Sequence, residues 1–228
     1  MNKSTVVAFL KKNQDPRGIE HWNNRNQTAL KSYGIGLTIL RKYAKSIGRD
    51  AKLAESLWNS NIYEMKIISI LIDDPKTMTL EQAEAQVEEL KGGQLAHVFS
   101  SCGAPLAKTP FVVELADKWI NSKDTMRRSC GYGLLYEISK NKKKTAPDEA
   151  YFLAHVADID KKRKNASIPI LLSMAGALLG MGMRTKKINK AALKVARAIG
   201  PITHSETCDP FDVAKHLTSD HAKQKLGL

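Results

Sequence analysis

The 228-residue sequence has few aromatic residues and few cysteines, and both shortages restrict the fold. Aromatic residues are only 6% of the chain, whereas β-sheet proteins are enriched in aromatic and β-branched residues. Leucine, alanine, lysine, isoleucine and glutamate are plentiful, and these residues favour helices. The three cysteines, Cys102, Cys130 and Cys208, are an odd number spread widely along the chain. A disulfide scaffold is therefore not expected, and a reducing cytoplasm is the expected environment.

Motifs for nucleotide and metal chemistry are also missing. The sequence contains neither a GxxxxGK[ST] loop nor a GxGxxG loop, which argues against an enzyme driven by nucleotide hydrolysis. His204 and Cys208 are four residues apart, but no paired Cys-x-x-Cys accompanies them, so we expect no metal and no cofactor. Ser101-Cys102 suggests a thiol nucleophile, but the sequence identifies no acid or base that would act as its partner. A buried, inert cysteine is therefore expected. The first 14 residues lack the apolar core of a signal peptide.

Apolar residues recur at helical spacing from residue 30 onward, and no stretch alternates like a strand. Capping residues and Gly or Pro breaks mark the ends of the segments. We expect about a dozen helices, and the spacing predicts them over 33–47, 50–59, 63–74, 79–90, 94–106, 110–121, 124–139, 147–157, 165–181, 187–199 and 210–217.

One segment, 167–183, carries no charge and approaches the length of a membrane span. It contains Pro169 and three glycines and is flanked by basic residues on both sides, so we predict a buried helix and no membrane partner.

Short helices that each carry one apolar stripe must stack on neighbours to be stable. Pairs at intervals of about 35 to 45 residues indicate an all-α protein with a HEAT-like helical-repeat solenoid, an alpha-alpha superhelix, over the single domain 1–228. A compact helical bundle is the alternative.

The net charge of +13 is unevenly distributed. Residues 1–114 hold 15 Lys/Arg against 12 Asp/Glu, whereas residues 115–228 hold 21 against 11. The excess is concentrated in three clusters, 140–144, 161–164 and the predicted helix 187–199. Clusters of this kind on a globular chain favour a polyanionic partner, most often nucleic acid.

The segment 33–82 resembles the N-terminal part of the DNA alkylation repair family, the AlkD-like HEAT-repeat DNA glycosylases. The residues that carry the resemblance, in order, are Tyr33-Gly34-Ile35, Leu40-Arg41, Ala44-Lys45, Ile47-Gly48, Leu53-Ala54, Leu57-Trp58, Tyr63-Glu64, Leu71-Ile72-Asp73-Asp74-Pro75 and Gln82. The resemblance implies a curved solenoid whose concave, basic face holds DNA. It also implies, for active members, excision of N-alkylated purines such as 7-methylguanine and 3-methyladenine.

The resemblance fails at the catalytic position. Cleavage of an N-glycosidic bond needs a carboxylate beside the cationic sugar, and the family places it in a Trp-Asp-x-x-Asp type motif. Here the stretch reads Phe99-Ser100-Ser101-Cys102-Gly103, so Phe99 takes the tryptophan position and Gly103 the aspartate position. Gly176-Ala177 lies where the second cleft tryptophan is expected. We therefore expect no catalytic residue; the nearby acids Glu114, Asp117 and Asp124 have no family counterpart.

The sequence thus predicts a monomeric DNA-binding protein of this family without glycosylase activity. Its concave basic face would contact the phosphate backbone of duplex, branched or damaged DNA. We expect it to lie in the cytoplasm and, in a bacterium, to associate with the nucleoid. Either Arg127 or Arg128 matches the arginine of the family. The expected DNA-binding residues are Phe99, Arg127, Arg128, Lys142, Lys143, Lys162, Arg163, Arg184, Lys186 and Lys187. An active alkylpurine glycosylase with a relocated acid and a protein-interaction solenoid are the alternatives.

Overall fold

The computed structural model describes residues 1–25, 28–203 and 209–228, and its regular elements in those ranges are all helical. The only β-type contacts there are two isolated bridges, Lys31 with Ile62 and Ile202 with Phe211. The all-α prediction is therefore confirmed. The chain divides into two compact units, 1–111 and 112–228, which are described separately. That residues 1–228 form one repeat domain stays a prediction.

The described residues of the first unit form seven α-helices and end in a short 3-10 helix, Pro105–Lys108. The α-helices are α1 (Lys3–Lys12), α2 (Pro16–Arg25), α3 (Leu37–Ile47), α4 (Ala51–Trp58), α5 (Tyr63–Ile72), α6 (Leu80–Val87) and α7 (Leu95–Ser100).

The centre of the first unit is α5, which packs against α3, α4 and α7. Because neighbours cover it on several sides, nearly all of its residues are buried, including Met65, Ile67 and Ile68. Burial of each such side chain is worth about 1.5–3 kcal/mol. Lys66 is also buried, and its ammonium donates to the carbonyl of Trp58 at 2.8 Å and pairs with Glu89 at 2.8 Å.

In the second unit, residues 112–203 and 209–228 form seven further α-helices and a 3-10 turn, Arg163–Asn165. The α-helices are α8 (Val112–Ile120), α9 (Thr125–Lys140), α10 (Glu149–Lys162), α11 (Ile168–Gly182), α12 (Lys186–Ile199), α13 (Val213–Leu217) and α14 (Asp220–Leu226). The uncharged segment 167–183 forms α11, which packs against α9, α12 and α13. No helix in the part of the chain described is long and apolar enough to span a membrane.

Polar residues cap the starts of many helices, as the sequence predicts. Asp50 accepts a hydrogen bond from the amide of Leu53 at 3.0 Å, and Thr79 accepts one from Gln82 at 3.1 Å. Such caps satisfy amides that have no partner inside the helix, at about 1 kcal/mol each. The remaining side-chain caps are provided by Asn2, Asp124, Asp148, Thr185, Asp212 and Ser219.

The structure corrects several predicted boundaries. The prediction missed α1, α2 and α14, which are short or follow weakly apolar sequence. The single helix predicted over 94–106 is wrong: α7 ends at Ser100, and the next turn places Cys102 at φ 61° and Gly103 at φ 76°, outside the helical region. The helix predicted over 147–157 continues to Lys162, because Ile159 is buried and ion pairs one turn apart support the last turn.

Candidate nucleic-acid interface

The residues that carry the family resemblance are structural in the first unit. Glu64 is fully buried, and its carboxylate accepts hydrogen bonds from the hydroxyl of Ser32 at 2.6 Å and from the amides of Tyr33 and Ile35 at 3.0 and 3.2 Å. Its partners form the chain segment that leads into α3. Asp73 likewise accepts from the side chain of Gln82 at 2.7 Å. These family residues therefore stabilise the fold, and a functional site would have to be formed by other residues.

The stretch that resembles the catalytic motif of the family ends in an exposed turn. Gly103 is exposed with φ +76°, and a Cβ built on it meets nothing within 4 Å. Gly176 of α11 is also open, because a Cβ there has no neighbour within 4 Å. Neither glycine is needed to avoid a steric clash, so packing does not explain their lack of a side chain.

Phe99 does not provide the aromatic surface that the sequence suggested. Its side chain is 1% exposed and belongs to the core of the first unit, since α7 turns its apolar face toward α5. A ring buried in this way cannot stack on a base or a sugar. The prediction of Phe99 as a DNA-binding residue is corrected by its burial.

The acids considered as replacements for the catalytic aspartate of the family either have structural partners or are exposed to solvent. Asp124 caps α9 by accepting from the amide of Arg127 at 2.7 Å. One oxygen of Asp117 accepts from Tyr151 at 2.9 Å and lies 3.0 Å from Nε2 of His155. Glu114 is exposed. Local contacts or exposure therefore account for each of these acids.

The two candidates for the family arginine lie together in the first turn of α9. Arg127 is half-buried, and its guanidinium is 4.0 Å from the carboxylate of Asp124. Arg128 has a buried Nε without a hydrogen-bond partner, one helical turn from the similarly unpaired hydroxyl of Tyr132. Burial raises the pKa of that hydroxyl. The two arginines differ in their surroundings, and the choice between them stays open.

The cluster at the end of α10 is partly neutralised. Lys162 pairs with Asp158 at 2.7 Å and donates to Asn121 at 2.9 Å. Arg163 pairs with Asp160 at 2.8 Å, and this hydrogen bond lowers the pKa of the Asp160 carboxyl. These two residues can meet a phosphate only by sharing or exchanging their present partners.

Arg184 has a clear structural task. Its guanidinium donates to the carbonyl oxygens of Ser139 and Asn141, the latter at 2.7 Å, and so closes the C-terminal end of α9. It also lies over the ring of Phe152, 4.2 Å from the centroid, in a cation–π contact. Burial lowers the pKa of this guanidinium. With its donors directed at backbone carbonyls, Arg184 contributes to the stability of the second unit.

Five lysines of the second unit are more available. They belong to the exposed lysines of this unit that have no carboxylate of the described residues within ion-pair distance, a group that also includes Lys161, Lys164, Lys194 and Lys225; the five are Lys142, Lys143, Lys144, Lys186 and Lys190, hereafter the lysine surface. Lys187, beside them, is exposed but lies 3.2 Å from Glu149. Hydrogen bonds from Thr185 and Lys187 lower the pKa of the Glu149 carboxyl.

One contact could not be read from the sequence. The Sγ of Cys102 lies 2.8 Å from Nε2 of His97, and Cys102 is exposed. The prediction of a buried, inert Cys102 is therefore wrong, because the turn after α7 carries the thiol back toward the preceding helix. The five-residue spacing was the only sequence signal for this pair.

Metal ligands are not grouped in the part of the chain described: no three His, Cys, Asp or Glu residues there are close enough to hold an ion. The pair His204 and Cys208 lies outside the described residues.

The fold is similar to that of a protein of known structure. A solved structure described as "a new family of proteins related to the HEAT-like repeat DNA glycosylases with affinity for branched DNA structures" superposes with a TM-score of 0.82 at 18% identity. The match covers 100% of this chain and 97% of that one. It confirms the predicted HEAT-like helical-repeat fold.

The sequence has no match among curated proteins. A family model described as "DNA alkylation repair enzyme" matches residues 6–192, most of the chain, which confirms the resemblance seen in 33–82. The chain belongs to the DNA alkylation repair enzyme family.

Proposed function

We propose that this protein binds DNA through the phosphate backbone and does not hydrolyse the N-glycosidic bond. The observation that carries the proposal is the lysine surface, whose ammonium groups are exposed and have no carboxylate partner among the described residues. Unpaired cations on a chain of net charge +13 attract polyanions and release the counterions that DNA has condensed. The family membership and the DNA affinity ascribed to the structurally similar protein support this partner.

The absence of glycosylase activity rests on Gly103. It offers no side chain at the position that resembles the catalytic aspartate, and the surrounding turn is open to solvent. The acids nearby in sequence are engaged in a helix cap or in contacts with Tyr151 and His155, or are exposed. Binding without base excision is the function that these residues fit.

The test is fluorescence anisotropy with a four-way junction and a linear duplex of the same sequence. If about six phosphates are neutralised, affinity falls about a thousandfold between 50 and 200 mM salt. Replacing Lys142, Lys143 and Lys186 together by alanine should weaken binding and flatten the salt dependence. The matched control replaces Lys42, Lys45 and Lys52, three exposed lysines of the first unit.

A salt-independent affinity, or equal loss in the triple variant and its control, would contradict the proposed surface. The same protein incubated with methylated duplex should release no 7-methylguanine beyond the spontaneous rate. Release that depends on the protein would favour the alternative, an active alkylpurine glycosylase. Tighter binding of the junction than of the duplex would show that this chain, like its structural relative, has affinity for branched DNA.

A further inference from the structure

A basic groove lies within the second unit, among α9, α11, α13 and α14. Its volume is about 450 Å³, within the range of small-ligand sites. It is lined by Tyr136, Ser139, Lys140, Lys142, Leu179, Gly180, Met183, His216, Ser219, His221 and Lys225. Three of these residues are lysines, two are histidines and none is acidic. Helices α13 and α14 follow residue 192, where the match to the family model ends.

We propose that this groove holds an unpaired nucleotide at the end of a DNA strand, with its phosphate on the lysines. The proposal rests on the DNA-binding function proposed above and adds a specific site to it.

The charge of the groove is suited to a phosphate. Lys142 and Lys225 have no carboxylate within ion-pair distance among the described residues. Lys140 pairs with Glu137 at 2.6 Å, and its ammonium lies 4.7 Å from the centre of the Tyr136 ring. The other acid on these helices near the groove, Asp220, is fully exposed and pairs with Lys223. Two of the three lysines are therefore available to an anion.

The floor of the groove is suited to the base and sugar of a nucleotide. Leu179, Met183 and the ring of Tyr136 give it an apolar lining. The hydroxyls of Ser139 and Ser219 also line it, and they donate to the carbonyl oxygens of Tyr136 and His216. Gly180 makes this floor possible, because a Cβ there would overlap Ser139 Oγ and the Tyr136 ring. An aromatic ring beside cations is the combination that proteins use for single-stranded nucleic acid, and a base stacked on Tyr136 would take the place of the Lys140 ammonium over that ring. An inorganic phosphate would use only the cations.

The experiment compares a blunt duplex with the same duplex carrying a two-nucleotide, 5′-phosphorylated extension. We expect the wild-type protein to bind the extended duplex about tenfold more tightly, the effect of one stacked base. Lys225→Glu should reduce this preference to near one and leave blunt-duplex affinity within about threefold. Lys223→Glu is the matched control, because it makes the same charge change on the same helix outside the groove, and it should retain the preference.

The outcomes separate the two proposals. If wild type binds both duplexes equally, or Lys225→Glu keeps the preference, the groove proposal is overturned while the DNA-binding function stands. Failure to bind either duplex overturns both. Inorganic phosphate added in excess over the DNA should not abolish the preference for the extended duplex. If it does, the groove recognises phosphate alone and not a nucleotide.

Discussion

The Sγ of Cys102 lies 2.8 Å from Nε2 of His97, so an exposed thiol and an imidazole meet in the turn that follows α7. The same turn contains Gly103, at the position resembling the catalytic aspartate of the family. Local chemistry at this turn is therefore that of a thiol beside a base, without a carboxylate.

Cys102 should be the more reactive of the two described cysteines. Cys102 is exposed and lies beside the imidazole of His97, whereas Cys130 is buried and closed to the reagent. In a Cys208→Ser background, iodoacetamide should modify Cys102 about tenfold faster than Cys130, as measured by peptide mass spectrometry. His97→Ala should slow the reaction of Cys102 alone; an unchanged rate would show that the imidazole has no part in it.

Restoring the acid should not restore base excision. In Gly103→Asp the carboxylate would stand in solvent, because the position has no neighbour within 4 Å, and water screens its charge. The left-handed backbone, φ +76°, should cost about 1 kcal/mol of stability with any side chain other than glycine. Gly103→Ala is the control for this strain. Protein-dependent release of 7-methylguanine by Gly103→Asp would refute the prediction.

Arg184 should stabilise the second unit more than any member of the lysine surface. Arg184→Ala removes two charge-assisted hydrogen bonds to the end of α9 and the contact with Phe152, a loss of about 2–3 kcal/mol. Lys186→Ala, two residues away and exposed, should change stability by less than about 0.5 kcal/mol. Urea unfolding followed by circular dichroism measures both. Equal losses would mean that the guanidinium contacts contribute nothing.

The second unit should lose stability in mild acid through His155. Burial lowers the pKa of this imidazole. The charges of Asp117 and Asp158 and the hydrogen bond with Asp117 oppose this shift without overcoming it, and Lys162 acts in the same direction as burial. The folded state therefore binds the proton less tightly than the unfolded state. The contribution of His155 is intact above its unfolded pKa of about 6.5 and is lost as the pH falls through the folded pKa.

Unfolding free energies at pH 7.5 and 5.5 for wild type and His155→Gln test this linkage. The decrease on acidification should be smaller in the variant, which cannot titrate at this position. His21→Gln is the control, since that histidine is exposed in the first unit. A decrease of the same size in wild type and His155→Gln would exclude His155 as the source.

The sequence alone determined most of the helices, because helical periodicity and side-chain caps act over three or four residues. Asp50 and Thr79 cap the helices that their spacing predicted. The family could also be identified from sequence, because Glu64, Asp73 and Gln82 hold segments together and their identities are dictated by those contacts.

Only the tertiary structure decided which predicted residues are available to DNA. Phe99 is buried against other helices, and Arg184 reaches carbonyls 43 and 45 residues earlier in the chain. The local sequence does not distinguish the exposed, unpaired lysines from those that pair with a carboxylate. Burial and pairing depend on residues distant in sequence, so charge could be counted from the sequence but its availability could not.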